Sequence, residues 1–168
     1  MDLSNWDAKN VEKASYMFHN CSKLTSTLDL TNFVTSKTTD IYDMFYNCPA
    51  LVTGLSTWDT SNLTYLSIPQ SLSSDTDIKN WNISKVTGFS INNTKLTSLD
   101  LSNWDTKNVT SFYIKNNSLL ESLDLSNWDT KNVTSFYETF TNNPKLTTIT
   151  GLNNLDVSKV TSFRNMFY

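Results

Sequence analysis

One block of fifteen residues, LDLSNWDTKNVTSFY, stands at 99–113 and again, letter for letter, at 123–137, an offset of 24 residues. Duplication at that period marks a repeat architecture, in which no unit buries its apolar face except against its neighbour. With the tryptophan as landmark, the series runs Trp6, Phe33, Trp58, Trp81, Trp104, Trp128 and Leu155, at spacings of 27, 25, 23, 23, 24 and 27. Every unit places a large apolar residue there.

Other columns keep the same phase. Three residues before the landmark stand Leu3, Leu30, Leu55, Ile78, Leu101, Leu125 and Leu152, and eight after it stand Ala14, Ile41, Leu66, Phe89, Phe112, Phe136 and Phe163. The whole of 1–168 therefore reads as a single array. The units of Trp6, Phe33 and Trp128 carry Phe18, Phe45 and Phe140 twelve residues after the landmark, in SYMFHN, IYDMFYN and FYETFTN. An extra helical turn is expected there, dropping each Phe into the core.

Within a unit, LTSLDLSNW (96–104) alternates Leu99 and Leu101 with Ser98, Asp100 and Ser102, the two-residue period of a half-buried strand. DTKN (105–108) offers side chains that bond their own backbone in a turn. Val109, Phe112 and Tyr113, three and four apart, predict one inward-facing helical turn.

That order resembles the leucine-rich repeat, through Leu96-x-x-Leu99-x-Leu101 and Leu120-x-x-Leu123-x-Leu125, with a Trp ladder in place of the family's buried Asn. The expected fold is thus an α/β repeat solenoid of leucine-rich-repeat type, with about seven coils of 23–27 residues, each with one short parallel strand plus a helical turn or loop. MFYNCPAL, LDLTNF and LDLSNWDTKNVTSF further resemble BspA-type surface proteins of Gram-positive commensals and mycoplasmas. The resemblance implies an extracellular, wall-attached or lipid-anchored protein engaged in adhesion or host contact. The chain begins and ends mid-repeat and is expected to be a fragment of a longer surface protein.

Composition limits the partners. Net charge is −3, with 13 Lys and Arg against 16 Asp and Glu, so the clustered cations that nucleic acid or an anionic membrane would require are missing. No run is long and apolar enough to span a bilayer, and there is no signal peptide. His19 is the only histidine and glycines number three, so neither a histidine-based metal cluster nor a phosphate loop is available. No enzyme, cofactor or metal site is expected; the chain is read as a monomer that meets a host extracellular protein or glycan. Cys21 and Cys48, one coil apart, lie within disulfide reach, although two small buried thiols are the simpler expectation.

The candidate site is a polar strip. Four before the landmark stand Asp2, Asp29, Gly54, Asp77, Asp100, Asp124 and Gly151. Asp77, Asp100 and Asp124 fall in consecutive coils, where like charges on neighbouring strands repel. An uncompensated ladder would hold calcium, or bind sugar hydroxyls or basic side chains with help from Ser98, Ser102, Ser122 and Ser126; a merely solvated strand face is the alternative. Tyr113 and Tyr137, one past the core Phe, are the candidate exposed aromatics, while the Trp column belongs to the core. If nothing binds, the array is a stalk that spaces a distal domain from the cell wall.

Overall fold

The computed structural model describes residues 3, 6–72, 74 and 78–168. Asp2 and Asp77 of the acidic column lie outside the described residues.

Among the described residues, alternating apolar and polar side chains produce nine short strands: β1 (Leu28–Asp29), β2 (Asp40–Ile41), β3 (Val52–Thr53), β4 (Tyr65–Ser67), β5 (Gly88–Asn92), β6 (Ser98–Asp100), β7 (Ser111–Lys115), β8 (Ser122–Asp124) and β9 (Thr148–Thr150). They form three parallel sheets, β1-β3, β2-β4-β5-β7 and β6-β8-β9. The Phe column sets the register: Ile41 faces Leu66, Leu66 faces Phe89, and Phe89 faces Phe112. A bridge between Lys13 and Asp40 extends the four-stranded sheet by one rung. One continuous core draws Leu28, Phe89, Leu99, Phe112 and Leu123 from all three sheets.

The architecture is a parallel β-solenoid of about five turns with almost no helix. This corrects the α/β, leucine-rich-repeat expectation and its count of seven. Only two 3-10 turns, Leu55–Thr57 and Leu152–Asn154, interrupt the strands among the described residues. Where Val109, Phe112 and Tyr113 predicted a helical turn, β7 runs instead, with Phe112 and Ile114 both inward at a period of two.

The Phe-bearing segments are not helical either. They wind through tight turns closed by bonds such as Met17 N–H to the Ala14 carbonyl (3.3 Å), with Tyr16 and Asn20, Asp43 and Asn47, and Glu138 and Asn142 at positive φ. Every second residue still reaches the next coil: Ala14, Tyr16, Phe18 and Asn20 donate to the carbonyls of Asp40, Tyr42, Met44 and Tyr46. Phe18, Phe45 and Phe140 enter the core as expected.

Two side-chain ladders lock the coils together. The buried indoles of Trp58, Trp81, Trp104 and Trp128 donate to the carbonyls of Leu30, Leu55, Ile78 and Leu101, one coil back, at 2.8 to 3.1 Å. At a corner, the hydroxyls of Thr39, Thr64, Thr87 and Thr110 donate to the carbonyls of Glu12, Thr39, Thr64 and Thr87. Both ladders add a second hydrogen bond to carbonyls that already accept a backbone N–H, as Ile78 does from Trp81 and Thr64 from Thr87.

Candidate functional site

The acidic strip assembles on the outer side of β6-β8-β9. Ser98 pairs opposite Ser122 and Asp100 opposite Asp124. The expected alignment slips by one at the two glycines: Asp29 pairs with Thr53 and Asp124 with Thr150, so Gly54 and Gly151 are extra residues rather than members of the column. Both adopt left-handed φ, +84° and +83°.

The carboxylates of the strip are engaged within it. Asp100 Oδ1 accepts from the Ser102 N–H (3.0 Å) and hydroxyl (2.6 Å), and Oδ2 pairs with Lys79. These partners, Lys79 first, hold its pKa at about 2. Asp124 likewise accepts from the N–H and hydroxyl of Ser126, and Asp29 from those of Thr31. Asp100 is thus charge-paired with Lys79, while Asp124 is held by the neutral donors of Ser126, so the expectation of uncompensated charge fails at Asp100. Each Asp acts as its own turn cap. A second Asp column behaves the same way: Asp7, Asp105 and Asp129 accept from the N–H two residues on and pair with Lys9, Lys107 and Lys131.

Tyr113 lies on β7 of the four-stranded sheet and Tyr137 in the turn segment after Phe136, apart from the Asp and Ser strip. Lys115 sits over the Tyr113 ring, 4.9 Å from its centroid, and reaches Glu138 at 3.6 Å. Tyr137 is 40% exposed, and hydrogen bonding to Glu138 pushes its hydroxyl pKa up.

A second group on that sheet was not among the expected site residues. Tyr16, Tyr42 and Tyr65 come from three consecutive coils and meet edge to face, with centroids 5.7 and 5.2 Å apart and ring planes at 87° and 80°. Tyr65 is opposite Gly88 and leans across it; a Cβ at Gly88 would fall 2.5 Å from the ring. Glycine thus makes room for a tyrosine lying over the sheet. His19 packs edge-on to Tyr16 and stacks on Tyr46, at 5.3 and 5.0 Å.

Asp43 sits beside these rings, where burial pushes its carboxyl pKa up against the opposing pull of His19, Ser67 and Tyr42. Burial, followed by the charge of Asp43, raises the Tyr42 hydroxyl. A shallow depression continues from Asp43 past Ser67 to Gln70 and Asn92. The available signal in the sequence was a departure from the repeat: three tyrosines in three different columns, next to one of only three glycines.

Among the described residues no group of three or more His, Cys, Asp or Glu is placed to hold a metal ion, and no helix is long and apolar enough to cross a membrane. Cys21 and Cys48 are both free thiols.

A family model described as a Mycoplasma protein of unknown function, DUF285, matches residues 1–68, 26–116 and 88–168. The chain belongs to this family. The overlapping matches follow from the repeat, since successive windows of one array satisfy the same pattern. Membership of DUF285 is compatible with a mycoplasma surface repeat protein. No curated protein and no solved structure matches the chain.

Proposed function

We infer that this DUF285 chain is an extracellular, surface-displayed adhesin or host-contact module of BspA-like kind, which binds a host protein or glycan and performs no catalysis. The observation that carries the reading is where the coils differ. The coils with identical sequence, 99–113 and 123–137, present Asp and Ser groups already bonded to one another, whereas the first coils present the irregular cluster Tyr16, His19, Tyr42, Asp43, Tyr46 and Tyr65. A surface selected only for stacking has no need of exposed aromatics, and Tyr16 and Tyr46 are 55% and 47% exposed. The binding face is therefore assigned to the outer side of the four-stranded sheet in the first coils, ahead of the strip of Asp100 and Asp124.

The non-binding stalk is the second reading. It is favoured by the letter-for-letter copy and by the self-satisfied Asp strip. Binding of the purified chain to arrayed mucins, matrix proteins and glycans, with calcium and with EDTA, separates the two. Saturable binding unaffected by EDTA is expected. Loss of binding in EDTA would return the assignment to a metal-assisted Asp strip, and absence of binding in both buffers would leave the stalk.

A further inference from the structure

We propose that the corner formed by Tyr16, Tyr42 and Tyr65, with Asp43 beside it, is a binding site for a neutral pyranose unit of a glycan chain. The inference rests on the reading that the first coils carry the binding face, and it names the ligand class. An aromatic ring face is electron-rich and attracts the C–H-bearing face of a sugar, as it attracts the positive edge of another ring. Here one ring leans over the sheet and its neighbour stands at 80° to it, so the pair makes a floor and a wall.

The polar groups around that corner suit hydroxyl donors. The Asp43 carboxylate, in contact with Tyr42, lines a shallow depression beside the corner together with Tyr46, the Ser67 hydroxyl and the Gln70 and Asn92 amides. A carboxylate accepts hydrogen bonds and cannot donate them. Vicinal sugar hydroxyls satisfy it; a proline-rich peptide, which offers carbonyl acceptors, does not. An anionic sugar would meet the charge of Asp43 itself, so the neutral ring is selected.

Gly88 is a specificity device for the same site. Its φ lies outside the left-handed region, so a serine fits the strand there. The added Cβ displaces only the far end of the Tyr65 side chain. Gly88→Ser therefore removes the floor of the site while keeping both the tyrosine and the core.

The test measures binding of the chain to a mucin-coated surface and to an array of neutral oligosaccharides. The mucin is presented untreated, oxidised with periodate to cleave vicinal diols, or digested with protease. Wild type is expected to bind the untreated mucin saturably and to lose it after periodate. Tyr42→Ala, Tyr65→Ala and Gly88→Ser are each expected to weaken binding about tenfold, equivalent to about 1.4 kcal/mol, with Tyr137→Ala unchanged. Binding that survives periodate but not protease overturns the glycan inference and leaves the adhesion reading standing. No saturable binding to mucin or oligosaccharides also overturns it; if no matrix protein is bound either, the adhesion reading falls too. The periodate arm uses wild type alone and holds even if a variant fails to fold.

Discussion

The indole N–H of Trp104 donates to the carbonyl of Ile78, one coil back, at 3.0 Å, and the ring itself is 1% exposed. The same residue thus fills the core and closes the backbone of its neighbour. Trp104→Phe keeps most of the volume and removes one of the two hydrogen bonds that the Ile78 carbonyl accepts, the N–H of Trp81 remaining, a cost of about 0.5–1.5 kcal/mol. Trp104→Ala adds a cavity and is expected to cost about 3–5 kcal/mol. Trp6, 57% exposed, should lose less than about 0.5 kcal/mol when changed to Phe. Equilibrium urea unfolding of the three variants checks the order.

Gly54 and Gly151 should be intolerant where Gly88 is not. Each opens a 3-10 turn at left-handed φ, and a Cβ at Gly54 would fall 2.5 Å from the backbone nitrogen of Thr31. Gly54→Ala combines the left-handed penalty of about 1–2 kcal/mol with a backbone overlap that no side-chain movement relieves. Its urea midpoint should fall clearly below that of Gly88→Ser; equal midpoints would show that the coil shifts to accommodate the methyl.

Repetition made the stacking legible from the sequence, because Ile41, Leu66, Phe89 and Phe112 fall in one column and pair in one sheet. The Trp column read as core holds for Trp58, Trp81, Trp104 and Trp128, with the exposed Trp6 as its exception. Four things were hidden. Val109 and Phe112 both face inward three residues apart, which mimics a helix, but a corner between them resets the phase before β7 begins. Gly54 and Gly151 each insert one residue, so columns counted from the landmark misplace them by one against Asp29 and Asp124. The acidic strip was legible as a row but not as a satisfied one. Sequence spacing does not say that Ser102 and Lys79 both bond Asp100. Tyr16, Tyr42 and Tyr65 stood out only as less regular aromatics, because they occupy different columns and meet diagonally across coils.

Asp100 should make stability depend on pH in a narrow acid window. Its carboxyl, held at about 2 by Lys79 and Ser102, is depressed relative to an ordinary Asp near 3.8. The folded state therefore binds a proton less readily than the unfolded chain, and the stabilisation is full above about pH 4 and lost as pH falls toward 2. The side chain is 31% exposed, so solvent screening reduces the contribution to the order of 1 kcal/mol. Unfolding free energies at pH 7 and pH 2.5 should converge for wild type and Asp100→Asn at the lower pH and differ at the higher. A constant difference would remove Asp100 from the acid response.

The two thiols should differ in reactivity although they sit in equivalent coils. Cys48 is 1% exposed, and burial pushes its thiol pKa up, with the neighbouring Cys21 adding to the effect. The thiolate is the reactive species, so the native chain offers Cys48 neither access nor ionisation. Cys21 is half-buried and free. A thiol reagent such as an aromatic disulfide should therefore modify one thiol per native chain, at Cys21, and a second only as the array unfolds in urea. Cys48→Ser should leave the native stoichiometry at one, and Cys21→Ser should reduce it to zero. Rapid modification of both sites in the native state would mean that the turn from Phe45 to Cys48 opens without global unfolding. No modification at all, reversed by reductant, would show that oxidation joins the two coils.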